Sequence, residues 1–216
     1  MDRIVNSTEY GICLWSMDTF KDFLKSEKIR AKKLLALFQK DDEKYLKLQQ
    51  EGVWIPIPQI DHGDYCIKFK NLNESFDDDW EQVLEYDGYN LDVRDGLWVS
   101  GLGSFLTFNE AAHRGEGREF TEYGMLNYES DKEIWHITLN DYKIYHDVWC
   151  DIPAGKYLLT IRGYSKKGPV DMKEAKYGYQ FELTEVERFD GYKNPREEEY
   201  EFNIGQILRD REKGDR

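Results

Sequence analysis

Residues 177–189, YGYQFELTEVERF, alternate apolar and polar side chains almost without a break. A period of two puts Tyr177, Tyr179, Phe181 and Leu183 on one face, which is the signature of a strand with one buried side. A helix would scatter these residues around its circumference, so the run constrains the fold more tightly than any other in the chain.

Similar runs fill the sequence after residue 90. In LDVRDGLWVSG the Asp95-Gly96 dipeptide stands between two apolar stretches and predicts a two-residue hairpin that pairs Val93 with Trp98 and Leu91 with Ser100. Gly101 and Gly103 then predict a bulge or a close backbone approach. IWHITLNDYKIYHDVWC reads as a second hairpin turning at Asn140 and Asp141, and a turn from Pro153 to Gly155 feeds a strand over 156–164. The charged tail after Gly205 is expected to fray. Aromatic residues make up 15% of the chain against only five prolines, and aromatics suit a pleated, half-buried surface.

The N-terminal third reads differently. Residues 9–15 form a short apolar run expected as a strand, and Ser16 or Asp18 offers a cap for a following helix. Phe20, Phe23, Leu24, Ala31, Leu34, Leu35 and Phe38 recur at three- and four-residue spacing, and Asp41, Asp42 and Glu43 favour a fresh start. One kinked helix or a helix pair is therefore expected over about 18–50. Pro56 and Pro58 confine 53–60 to an edge strand, because each lacks a ladder donor, and a further strand is expected at 65–70. The expectation is an α+β protein: a small N-terminal α/β part over 1–70, an acidic aromatic connecting segment over 71–89, and an antiparallel β-sandwich over 90–216.

At 216 residues and 40% hydrophobic content the chain is long enough to bury a core without staples. No apolar run reaches bilayer-spanning length, and the N-terminus lacks a basic region followed by an apolar core. Cys13, Cys66 and Cys150 are odd in number and far apart, which suits reduced thiols in the cytoplasm. The net charge is −13, and it is not spread evenly. Residues 71–150 carry 5 basic against 18 acidic residues, whereas the flanking segments are near neutral. Such a balance repels nucleic acid and anionic membranes and steers a basic partner.

The excess peaks in FDDDWEQVLEYDGYN, residues 76–90. Ser75 or Asp77 offers a helix cap with Asp78, Asp79 and Glu81 in the first turn, which accounts for the acids as a solvated face. It does not account for Trp80, Tyr86 and Tyr89 among them. Aromatic anchors ringed by charge are how protein interfaces are built. Both readings stand, and the candidate partner-binding residues are Asp77, Asp78, Asp79, Trp80, Glu81, Glu85, Tyr86, Asp87 and Tyr89.

Other chemistry is weaker. Consecutive aspartates point in different directions and lack the alternate spacing of a calcium loop. The two-residue turn at 140–141 places His136 and His146 on opposite faces of the hairpin, with His146 beside Trp135. Each cysteine reads as a small buried hydrophobe. HRGEGR, residues 113–118, lacks the lysine of a phosphate loop, and no pair of carboxylates stands out for glycoside chemistry. No catalytic residue, metal or cofactor is expected.

Asp151-Ile152-Pro153-Ala154-Gly155-Lys156-Tyr157, the apolar run over 158–164 and the closing strand over 177–189 resemble the ComJ-like inhibitors of the DNA-entry nuclease. Trp54-Ile55-Pro56-Ile57 with Asp61, Gly63 and Asp64 resembles the SMI1/KNR4-type bacterial immunity proteins. Both resemblances imply a cytosolic, non-enzymatic protein that binds a basic toxin or nuclease. Alternative readings are a carbohydrate- or small-ligand-binding β-sandwich with exposed aromatics, and a hydrolase using paired carboxylates. Nothing in the sequence sets an oligomeric state.

Overall fold

The computed structural model describes residues 3–114, 120–121, 124–130, 132–138, 141–171 and 174–214, with the backbone alone over 120–121 and 124–130. It is α+β, with two mostly antiparallel sheets. The first has five strands in the order β1 (Arg3–Asn6), β4 (Asp64–Phe69), β12 (Tyr177–Val186), β11 (Gly155–Lys166) and β5 (Trp80–Val93). The second has seven, in the order β3 (Trp54–Pro58), β2 (Gly11–Trp15), β6 (Leu97–Gly101), β10 (Lys143–Cys150), β9 (Glu133–Ile137), β8 (Gly124–Ser130) and β7 (Phe120–Thr121). The β12–β4 pairing is parallel and the others are antiparallel.

The alternation of β12 is realised as read: Tyr179 and Phe181 are fully buried, Leu183 nearly so, and Tyr177 packs against the same cluster. That cluster draws Val5, Ile67 and Leu159 from the five-stranded sheet and Leu14, Ile57 and Val99 from the seven-stranded one. Burying each such aliphatic side chain contributes about 1.5–3 kcal/mol. Strand β2 is buried along its whole length. Ile12 and Leu14 face the intersheet cluster, whereas Cys13 and Trp15 face a second cluster beneath the helices. A strand covered on both faces reads as a continuous apolar run, which is what 9–15 shows.

The helical third consists of α1 (Met17–Ser26), α2 (Leu34–Lys40) and α3 (Asp42–Glu51), three helices where one or two were expected. Phe20, Phe23, Leu34, Leu35 and Phe38 are buried and Leu24 half-buried as the periodicity requires, whereas Ala31 is exposed in the link between α1 and α2. The Asp41 carboxylate accepts from Lys44 N at 3.1 Å and restarts the helix at α3. Gly52 ends α3 at φ 69, and its carbonyl accepts from Asp92 N at 2.7 Å.

Several expectations are corrected. The Asp95-Gly96 turn is not a hairpin: β5 and β6 belong to different sheets, so Val93 and Trp98 are not partners. The Asp95 carboxylate instead takes the Ser16 hydroxyl at 2.6 Å and the Asp18 amide at 3.2 Å, and so serves the start of α1 from 77 residues away. The N-terminal part has no sheet of its own: β1 and β4 join β12, and β2 joins β6. The tail does not fray through its whole length. Residues 204–214 form α5 (Ile204–Gly214), with Asn203 Oδ1 accepting from Gln206 N at 2.9 Å as the cap and Ile204 fully buried. Strand β3 lies at a sheet edge, as its prolines require. Gly101 meets a close backbone approach, since a Cβ there would stand 2.5 Å from Asn6 O. Among the described residues no helix is long and apolar enough to cross a membrane.

Candidate partner-binding surface

The acidic stretch is a turn and a strand, not a helix start. Asp77 Oδ1 accepts from Asp79 N at 3.0 Å, Trp80 N donates to Asp77 O, and β5 begins there. The nine candidate residues do not share one face. Asp77, Asp78 and Asp79 are exposed and form no ion pair among the described residues. Trp80 is half-buried against Phe76, which also packs on Tyr164. Glu85 receives two bonds from the Arg162 guanidinium, at 3.0 and 3.2 Å, which hold its carboxyl below the ordinary range. Asp87 is held by Lys193 at 2.9 Å and is lowered likewise, and Glu81 stands 3.9 Å from Arg211. Tyr89 is buried, its hydroxyl has no hydrogen-bond partner among the described residues, and burial pushes its titration up. Tyr86 is half-buried, its hydroxyl accepts from Glu201 N at 3.2 Å, and its ring meets Tyr200 and Phe202.

Much of the charge in β5 is therefore spent within the molecule, on an edge strand that exposed acids help to keep from pairing with another chain. Tyr86 points to a different surface. The 195–202 segment against which it packs forms one wall of a groove of about 740 Å³. The edge strand β3 also lines it, through Trp54, Pro56 and Pro58, and its prolines withhold ladder donors. Glu9, Asp42, Glu197, Glu198 and Glu201 border the groove and are all exposed. Tyr10 and Tyr200 supply rings, and Tyr10 is 65% exposed. Glu9 and Tyr10 both adopt left-handed φ, 57° and 55°, unusual for residues with a Cβ. Ile60 N donates to Tyr10 O at 3.1 Å and secures that turn.

The basic residue in this wall, Arg196, forms no ion pair with the carboxylates among the described residues, although the charge of Asp42 acts on it. The Arg196 guanidinium lies 3.5 Å from the centre of the Tyr45 ring and donates to Phe38 O at 2.9 Å. Asn194 Oδ1 accepts from Tyr45 OH at 3.0 Å and from Arg196 N at 3.0 Å, fixing the segment on α3. The Tyr200 hydroxyl donates to Glu199, which pushes its pKa up to about 12. Sequence reasoning passed over this wall. Its signal was REEEYEF, residues 196–202, which repeats the acid-and-aromatic composition of 76–89 but has no strand or helix period.

The histidines also differ from expectation. Thr138 N donates to Tyr142 O, and Asp141 is left-handed at φ 57, so Tyr142 faces Thr138 rather than Leu139. Asn140, one of the two residues on which the turn was placed, lies outside the described residues, as does Leu139. The register is shifted by one from the expected pairing, with Ile144 opposite His136, and a bulge follows Tyr145. His136 Nδ1 and His146 Nε2 then stand 2.6 Å apart, on one face rather than two. Burial lowers both pKa values. Separately, His113 is enclosed by Trp15 and Trp98, with Nε2 3.6 Å from Asp147 Oδ2. His113 Nδ1 faces the carbonyl of Asn109 at 2.9 Å and must carry a proton to bond it. The Ser104 hydroxyl donates to Asp147 rather than to the imidazole, so the set lacks the nucleophile-to-base bond of a triad.

Cys13, Cys66 and Cys150 are buried thiols, and burial pushes Cys150 up to about 12. Among the described residues no three His, Cys, Asp or Glu side chains gather as metal ligands. Residues 115–118 of the HRGEGR loop lie outside the described residues. No protein family, curated protein or solved structure matches the chain.

Proposed function

We propose that this chain is a cytoplasmic, non-enzymatic binding protein, an inhibitor or immunity protein for a basic toxin or nuclease. Its two sheets pack as a β-sandwich, and the binding surface is the acidic, aromatic groove lined by β3 and 195–202. One observation carries the reading: five exposed carboxylates surround a concave surface with tyrosine rings in it. Charge of one sign along a cleft raises the association rate of an opposite partner, and aromatic anchors slow its release. Asp77, Asp78 and Asp79 add to the long-range field without forming the contact.

The test is capture of a basic protein from the native host by the wild-type chain, repeated with Glu197→Gln, Glu198→Gln and Glu201→Gln combined. The captured protein should be a toxin or nuclease whose activity the chain suppresses, and the triple variant should lose both capture and suppression. Equal capture by the triple variant, or a captured protein whose activity is unaffected, would overturn the reading.

A further inference from the structure

On a chain with net charge −13, residues 25–33, KSEKIRAKK, form a cationic island. Lys25, Lys28, Arg30, Lys32 and Lys33 are all exposed, and none forms an ion pair among the described residues. Glu27, the one acid in the stretch, is held by Lys47. Elsewhere the cations are commonly tied to carboxylates, as Arg162, Lys193 and Arg209 are. Five free cations in nine residues are therefore not the default of this surface. Lys28 even occupies a left-handed position, φ 53, after the end of α1, where glycine is the usual choice.

Beside the island lies a hollow of about 490 Å³. Lys21, Lys25 and Lys32 stand at its border, and Leu24, Ile29 and Phe108 supply an apolar lining. Thr107 and Asn109 add polar groups. Phe108 N donates to Lys32 O at 2.9 Å and ties the two walls together. Glu110, the acid of this lining, already bonds Lys21 at 2.7 Å and Arg114 at 2.8 Å. An apolar floor bordered by a few charged and polar groups, here with two lysines left unpaired among the described residues, is the composition of a small-ligand site.

We propose that this hollow binds a phosphate-bearing ligand of nucleotide size. The phosphates meet Lys25 and Lys32, unpaired among the described residues, Lys21 being held by Glu110 at the border, and a planar ring lies against Ile29 and Phe108. The site is separate from the acidic groove, and its test is independent of the proposed partner.

The experiment titrates ATP, and in a second arm inorganic triphosphate, into the ¹⁵N-labelled full chain at 0.15 M salt. With ATP, saturable shifts are expected at residues 21–33 and 107–111. Lys25→Glu with Lys32→Glu, both exposed positions, should weaken ATP at least about tenfold, since each reversal removes a charged hydrogen bond and adds a repulsion. Lys28→Glu lies outside the lining and should change affinity less than about twofold. Triphosphate should bind more weakly than ATP. The proposal is overturned if ATP does not saturate, if the double variant binds as well as wild type, or if Lys28→Glu weakens binding equally. Equal affinity for the two probes would also overturn it, because the apolar floor would then contribute nothing.

Discussion

Replacing Arg162 with methionine keeps the aliphatic stem and removes the guanidinium that spans three strands. Arg162 on β11 bonds Glu85 on β5 at 3.0 and 3.2 Å, and Glu182 on β12 at 2.7 Å. The Arg162 side chain is 16% exposed, against 46% for Glu85 and 28% for Glu182. Fully exposed ion pairs contribute about 0.2–1 kcal/mol, and charged hydrogen bonds in shelter about 1.5–3. This pair of bridges is intermediate and partly screened, so the substitution should cost about 1–2 kcal/mol. Lys70 stays on Glu182 at 2.7 Å and limits the loss. Urea unfolding should show a lower midpoint at unchanged slope. A double-mutant cycle with Glu85→Gln should give a coupling of about 0.5–1.5 kcal/mol. A coupling within error of zero would refute the reasoning, because Glu85 would then be uncommitted and free to meet a partner.

Three further outcomes are expected. Burial holds His136 and His146 below their ordinary value, so as pH falls through about 6.5 the unfolded chain takes up protons first and stability declines. Urea titrations between pH 7.5 and 5.5 should show this loss, and His136→Gln with His146→Gln should flatten it. Gly52→Ala should destabilise by at least about 1 kcal/mol, because φ 69 is left-handed and a Cβ would stand 2.9 Å from the amides of Leu91 and Asp92; an unchanged melting temperature would contradict the tie between α3 and β5. Association with a basic partner should slow as the Debye length falls from about 30 Å at 0.01 M salt to about 8 Å at 0.15 M, and a rate flat across that range in stopped flow would contradict steering.

Local periodicity carried much of the fold into view. The alternation of 177–183, the prolines of β3 and the apolar spacing of 20–38 each act within a few residues, so sequence displays them directly. What failed depends on distant groups. Asp95-Gly96 has hairpin chemistry, yet the Asp95 carboxylate is claimed by Ser16 and Asp18 and the chain changes sheets there. The histidine faces turned on one residue of register. The environment of the candidate residues was hidden for a similar reason. Charge counted by segment could not see Arg162 reaching Glu85, or Lys193 reaching Asp87, from 77 and 106 residues away. The groove takes its carboxylates from residues 9, 42 and 197–201, and no single stretch of sequence announces it.

The most direct measurement is hydrogen–deuterium exchange of the chain with and without the basic protein it captures from its host. Binding in the groove predicts added protection at 9–10, 54–60 and 195–203, with 77–82 unchanged. Protection confined to 77–82, with the groove exchanging as in the free chain, would contradict that assignment.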